Sequence, residues 1–332
     1  MQYGCAAAAR NGARSAKVRR GTVTGVSTAL PVLLDTDVGT DVDDAIAIAL
    51  LLASPELDLR AVTTVSGDAR LRGRIAKKLL TLAGHANVPV AAGIEAPVLG
   101  QRSFLWLGHE GQGIIAADEQ LPLVAAHAVD VLIETVRRDH PHVVAIGPLS
   151  NLAVAIRKEP AIVGAIPHLT VMGGTLGRSG ATLPVEYNLC SDAEAAQLVL
   201  SAGIPTTLVP LDVTSQVALT SAELSVLRGA RSRVAKVLAA AMDIWAPLQL
   251  AFLDTLPAAN RAAVALLHDP LTVAVLIDRS LVATQRLRLR PAIVDGIFSL
   301  VAESGAPEFD VVVAVDTRRF VEFLMDRLLR LP

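Results

Sequence analysis

The chain has 332 residues, of which 52% are hydrophobic and only 3% aromatic, and a formal net charge of −2. That length admits one large α/β domain or two small ones, with a core built mainly from Ala, Val, Leu and Ile. The near-neutral charge gives no electrostatic case for nucleic acid or an anionic membrane, two cysteines (Cys5 and Cys190) make a disulfide framework a poor fit, and the apolar stretch from Ala45 to Ala53 is far too short to cross a bilayer.

Residues 1–29 carry Arg10, Arg14, Lys17, Arg19 and Arg20 and no acid. They read as a disordered basic tail rather than a secretory leader, because no long apolar core follows the charges. Residues 30–332 read as a single domain, in a reducing, cytoplasmic setting.

The organising stretch is Pro31 to Leu52. Val32 to Leu34 reads as a buried strand, and a buried helix begins near Val42. Between and around them, Asp35, Asp37, Asp41, Asp43 and Asp44 fall within ten positions. Acids in a helix first turn favour the macrodipole by about 0.3–1 kcal/mol each, which accounts for Asp43 and Asp44 but not for Asp35 and Asp37. Like charges packed this closely must be protonated, solvated or neutralised by a cation. A hard cation with oxygen ligands is the better account.

Leu59 to Val65 reads as a second strand, Arg70 to Ala83 as a helix and Val88 to Ala91 as a third strand. This βαβαβ opening predicts a parallel, doubly wound sheet. Asp68 lies at a carboxyl strand end, as a helix cap or a functional acid. Residues 93–122, with Trp106, His109 and Glu110, form a long Gly- and Pro-rich loop of the kind that binds or covers a ligand. A helix from Ala125 to Arg138 leads to a strand at Val143 to Ile146, then Gly147-Pro148-Leu149-Ser150-Asn151 and another helix. Leu169 to Met172 is a strand followed by Gly173-Gly174. Val185-Glu186-Tyr187-Asn188 and Asp192 follow, with Asp192 starting the next helix. Glu186 and Asn188 together offer an acceptor and a donor for vicinal hydroxyls. Ile204 to Pro210 is a strand running into Leu211-Asp212-Val213-Thr214. Thr220 to Leu250 reads as helical and mostly amphipathic, and its end (Met242, Trp245, Leu248, then Phe252) is placed to wall a base pocket or, as apolar helical spacing more often does, to fill the core. His268-Asp269-Pro270 opens a helix from Leu271 to Ile277. Leu287 to Val301 and Phe309 to Val315 read as β structure, and Thr317 to Leu331 as a closing helix.

DTDVGTDVDDA (Asp35–Ala45) resembles the amino-terminal signature of the nucleoside hydrolases of the inosine-uridine preferring type, which cleave the N-glycosidic bond of ribonucleosides. The commoner form is DTDPGxDDA. Here Val38 replaces the proline and two extra residues precede Asp43-Asp44, so Asp41 competes with Asp43 for register. GPLSN (Gly147–Asn151) is similar to the family's GPLTN. MGG (Met172–Gly174), the ExN of Glu186 and Asn188, PLDVT (Pro210–Thr214) and HDP (His268–Pro270) follow in the family's order. Each is weak alone; the order, from Pro31 to Leu331, carries the resemblance. Many members have Asn six positions before the glutamate; Gly180 stands there, which implies an altered sugar contact.

The resemblance implies an α/β fold with a Rossmann-like, open, mostly parallel sheet flanked by helices. It implies one Ca²⁺ per subunit, Mg²⁺ being the poorer fit to a flexible oxygen shell. The ligands would be Asp37, Asp44, Asp269 and the carbonyl of Ser150. Asp37 would be the general base. Asp43, Glu186 and Asn188 would hold the sugar, with Asp68 and His109 as further substrate-side candidates. His268 would protonate the leaving base, with His109 as its rival. A homodimer or homotetramer is implied. Two other readings stand beside it. One is a haloacid-dehalogenase-type phosphatase, against which Gly39 occupies the position of that family's usual Thr or Val. The other is a catalytically silent nucleoside- or sugar-binding protein.

Overall fold

A computed structural model describes residues 29–332 apart from 101, 117, 178–184 and 250–261. Gly180, Phe252 and nearly all of the basic tail lie outside the described residues.

The apolar run that opens the chain's main motif alternates between two cores. Val32 and Leu34 pack on one side of the sheet and Leu33 on the other, the period of two expected of a strand buried on both faces. That strand, β1 (Leu30–Thr36), is central in a nine-stranded sheet. The spatial order begins β3 (Val90–Ala92), β2 (Leu57–Thr64), β1, then β4 (His142–Ala145), β5 (Leu169–Met172), β6 (Thr206–Val209) and β11 (Glu308–Val315). All of these pair in parallel. Two antiparallel strands, β9 (Val282–Val294) and β10 (Ile297–Ala302), complete one edge. Asp295 and Gly296, at φ 51° and 79°, make the tight turn between them. The open, mostly parallel sheet expected from the sequence is therefore present.

Helices cover both faces. α1 (Asp43–Leu52), α2 (Ala69–Leu82), α10 (His268–Ile277) and α11 (Thr317–Leu328) pack on one side. α3 (Ala128–Asp139), α4 (Ser150–Lys158) and α6 (Ala193–Leu200) pack on the other. α1 is buried along nearly its whole length and lies against α10. From β1 the chain passes to β2 on one side, whereas β4 pairs with β1 on the other. This reversal opens a crevice at the carboxyl ends of β1 and β4, where open α/β sheets bind ligands.

The helical stretch expected from Thr220 to Leu250 is present from Ser221 to Gln249 as two helices. Thr220 ends a strand, β7 (Ala218–Thr220), which pairs antiparallel with β8 (Ala263–Leu266), a strand the apolar pattern had not indicated. Two helices follow, α8 (Ser221–Gly229) and α9 (Arg233–Gln249). The break is local chemistry. Thr220 and Glu223 form a reciprocal capping box at the start of α8, and the Ser232 hydroxyl accepts from Ala235 N at 3.1 Å to start α9. A hydrophobic stripe continuous through both segments conceals these two starts.

Candidate active site

The carboxyl ends of β1, β4 and β5 and the amino termini of α1 and α10 meet around a cavity of about 320 Å³. Asp37, Asp41, Asp43, Asp44 and Asp269 line it together with Glu186, Asn188 and His268. Asp269 lies more than two hundred residues from the rest of the acids, yet its backbone N–H donates to Asp43 Oδ2 at 3.2 Å. That bond ties the first turn of α10 to the first turn of α1. Both helices thus direct their positive dipole ends at the carboxylates.

Two glycines show how tightly the turn is drawn. Gly39 has φ +125°, and a Cβ there would lie 2.6 Å from Ile75 Cδ1. At Gly147 a Cβ would stand 2.8 Å from Asp37 Oδ1. A side chain at Gly147 would press on Asp37.

Beneath the cavity Asp35 is fully buried. Its Oδ1 accepts from Thr63 Oγ1 at 2.6 Å and from Asn151 Nδ2 at 2.8 Å, while Oδ2 is buried without a hydrogen-bond partner. Asn151 Nδ2 also donates to Thr64 O, and its Oδ1 accepts from Ile94 N. The Asp of the first motif and the Asn of GPLSN are thus one device that locks β1, β2 and α4 in register.

Burial dominates the electrostatics. Desolvation pushes the Asp35 and Asp37 carboxyls up to about 7; at Asp37 the Arg72 guanidinium opposes the rise and Asp41 adds to it. Asp43, Asp44 and Asp269 are driven well above the usual carboxylate range, first by burial and then by neighbouring carboxylates: Asp41 and Asp44 at Asp43, Asp37 and Asp41 at Asp44, and Asp43 and Asp44 at Asp269. One oxygen each from Asp41, Asp43 and Asp44 lie within 4.8 Å of one another. A buried, all-oxygen donor set with surplus negative charge fits a hard divalent cation. Asp44 also accepts from the Thr36 hydroxyl, which fixes its rotamer.

Glu186 caps α5 (Tyr187–Ser191), its oxygens accepting from Asn188 N at 2.7 Å and Leu189 N at 3.0 Å. Asn188 Nδ2 points at two strand-end carbonyls, Ile146 O (3.2 Å) and Met172 O (3.3 Å). Its amino group is occupied, so its remaining polar atom is the acceptor oxygen. The sequence had paired Glu186 and Asn188 as acceptor and donor. In the structure both offer acceptors.

Three expected site residues stand apart from the cavity wall. Asp68 is exposed, does not line the cavity and caps α2, accepting from Leu71 N at 2.8 Å. Ser150 begins α4 and gives its hydroxyl proton to Asp192 Oδ2 at 2.5 Å; it does not line the cavity. His109 stands behind the wall. Its Nε2 lies 2.5 Å from Thr40 O, and its ring stacks on Trp245 with centroids 5.9 Å apart. His268 does line the cavity. Its Nδ1 is 2.8 Å from Thr214 Oγ1, and burial lowers its pKa.

The cavity lining also carries an apolar set, Leu105, Val185, Trp245 and Leu266. Gln249 Oε1 accepts from Trp245 Nε1 at 3.0 Å and from Leu266 N at 3.1 Å, which orients the indole. Arg72, Tyr187 and Gln249 were not singled out from the sequence. Arg72 did leave a signal: it shares the buried helical stripe of Ala69, Gly73, Ala76 and Leu80, where a charge is out of place.

Residues 32–322 match the family model described as inosine-uridine preferring nucleoside hydrolase. The chain is 31% identical over 319 residues to the inosine-uridine preferring nucleoside hydrolase of Crithidia fasciculata, covering 90% of this chain and 98% of that protein. It is 32% identical over 318 residues to the pyrimidine-specific ribonucleoside hydrolase RihA of an Enterobacter species, with the same two coverages. Among solved structures, a plant nucleoside hydrolase superposes with a TM-score of 0.80 at 27% identity, covering 91% of this chain and 100% of that one. A purine-preferring ribonucleoside hydrolase from Gardnerella vaginalis does so with a TM-score of 0.76 at 28% identity, covering 90% and 98%. These likenesses leave no place for the phosphatase reading. They run through every motif that builds the acidic crevice, and by them the chain belongs to the inosine-uridine preferring nucleoside hydrolase family.

Proposed function

We propose that this chain hydrolyses the N-glycosidic bond of ribonucleosides to free base and ribose, with one Ca²⁺ held by Asp37, Asp44 and Asp269. The observation that carries this is the convergence of those three carboxylates, from two distant segments, on one cavity that also holds Glu186 and Asn188. Asp41 and Asp43, clustered with Asp44, are the neighbouring oxygens; the Ser150 carbonyl is the remaining ligand assigned by resemblance. Bound there, the ion would grip the sugar 2′ and 3′ hydroxyls and acidify a water.

Asp37 takes the proton of the attacking water as general base. Asp43, Glu186 and Asn188 accept hydrogen bonds from sugar hydroxyls. The carboxylates stabilise the positive charge of an oxocarbenium-like transition state. The apolar side chains of Leu105, Trp245 and Leu266 take the base. There His268, whose Nδ1 pairs with Thr214 Oγ1 at 2.8 Å, protonates the departing base. Burial lowers the His268 pKa, so the ring gives up its proton readily once it holds one.

The test is a panel of nucleosides scored for reducing sugar, with and without chelator. Ribose release that chelator abolishes and calcium restores is expected. Tight nucleoside binding with no ribose released would instead identify a binding protein, and release indifferent to chelator would remove the ion from the reaction. Assembly into a homodimer or homotetramer is proposed with this reading, with light scattering as its measure.

A further inference from the structure

Among the described residues Arg72 is the largest fully buried side chain, at 0% exposure. It rises from α2 beneath the acidic turn. Its Nε donates to Ser66 O at 2.6 Å, one terminal nitrogen donates to the carbonyl of Asp37, and the other to Thr40 Oγ1 at 3.0 Å. Trp106 closes the remaining face, its ring 5.3 Å from the guanidinium carbon. The Ser66 carbonyl it holds belongs to a non-glycine residue at φ 78°, a conformation that needs support from its surroundings. The planar fork therefore joins the end of β1, the end of β2 and the long loop before α3. A lysine could not make this set of contacts, because its ammonium is a single point donor centre.

We propose that Arg72 is a positioning residue for the divalent ion, holding the Asp37–Thr40 turn so that the carboxylates of Asp37 and Asp44 converge on one point. It touches neither ion nor substrate. This rests on the metal-assisted reading given above. The acidic turn is two residues longer than the family's commoner form and holds a fifth aspartate, Asp41. Such a turn has more ways to splay, and the guanidinium pins it at a backbone carbonyl and a hydroxyl.

The experiment is calcium titration by calorimetry on the full chain and on Arg72→Lys and Arg72→Ala, with steady-state kinetics alongside. Absence of calcium binding by the unsubstituted chain would overturn the metal reading itself. Given that binding, Arg72→Lys should weaken calcium by about 10–100-fold, the usual cost of losing a group that orients metal ligands. It should lower kcat more than it raises KM, since Glu186 and Asn188 still hold the sugar. Added guanidinium should recover calcium affinity in Arg72→Ala, while ammonium should not. Calcium affinity and kcat within twofold of the unsubstituted chain in Arg72→Lys would overturn the proposal, as would failure of guanidinium to recover a folded Arg72→Ala. Should the alanine variant not fold, the lysine variant decides alone. Should neither fold, Arg72 is a folding residue and the proposal falls.

Discussion

The amino edge of the parallel sheet half-buries ionisable groups and the carboxyl edge buries them, and they resolve the cost differently. At the amino edge His142, opening β4, and His168, just before β5, face each other with ring centroids 4.9 Å apart. Each finds a neutral hydroxyl, Thr170 Oγ1 and Thr207 Oγ1, at 2.8 Å. Burial, the neighbouring His168 and Arg279 push His142 down to about 3, and His168 is lowered by burial and Arg279. These rings shed their charge and are satisfied as neutral groups. At the carboxyl edge the aspartates face one another, and the Arg72 guanidinium only partly offsets the rise at Asp37 and Asp44. Protein partners settle the first edge, whereas the second is left to be settled by something that binds. That difference separates a structural cluster from a functional one.

The contrast can be broken in several ways. The largest effect is expected from Asp37→Ala. Loss of a general base costs about 10²–10⁴-fold in rate, and loss of a metal ligand adds to it; near-normal release of reducing sugar by this variant would take Asp37 out of the mechanism. Next is stability. Calcium at a hundred times its Kd should stabilise the native chain by about 2.7 kcal/mol, read as a rise in Tm, and Asp44→Asn should erase most of that rise. A calcium-indifferent melting curve for the unsubstituted chain would mean that the acidic edge is settled without an ion.

His268→Ala tests the leaving-group end. Removal of a buried hydrogen-bond donor costs about 2 kcal/mol, roughly thirtyfold in kcat. Unchanged kcat on every nucleoside would eliminate His268 as the donor and favour His109, one stacking layer behind Trp245.

The smallest effect sharpens the other edge. His142 has a folded pKa depressed to about 3 from 6.5. Below pH 6.5 the unfolded chain takes up a proton that the folded chain refuses. Its contribution to stability is thus complete above pH 6.5 and is lost as pH falls toward 3. Urea titrations between pH 4.5 and 7 should give His142→Val a slope of stability against pH shallower by up to about 1.4 kcal/mol per pH unit. Parallel curves would show that His142 titrates normally. The aspartates have the opposite sign. Asp35 and Asp37, raised to about 7 from 3.8, contribute stability to the metal-free chain at low pH that is lost as pH rises through 7. They are common to both proteins and cancel in the comparison.

Much of this was legible in the chain. Strand β5 has the bounds its apolar run gives, and the helix after the first motif begins one residue past Val42. The acids of DTDVGTDVDDA and HDP were visible as chemistry because local spacing could not explain them. Other features were hidden. The β7–β8 pair joins segments more than forty residues apart, so neither strand marks its partner locally. Asp68 looked equally suited to cap and ligand; its exposure and its bond to Leu71 N show the cap.

By itself the sequence determined the βαβ order, the doubly wound sheet and the identity of the acids, because these follow from periodicity, turn residues and charge density within a few tens of residues. Tertiary structure alone decided that Asp269 would meet Asp43, that Asn188 would spend its amino group on two strand ends, and that Arg72 would lie beneath the turn. Those outcomes depend on which distant groups share one buried volume, and the cost of leaving any of them unpaired there is what fixes their orientation.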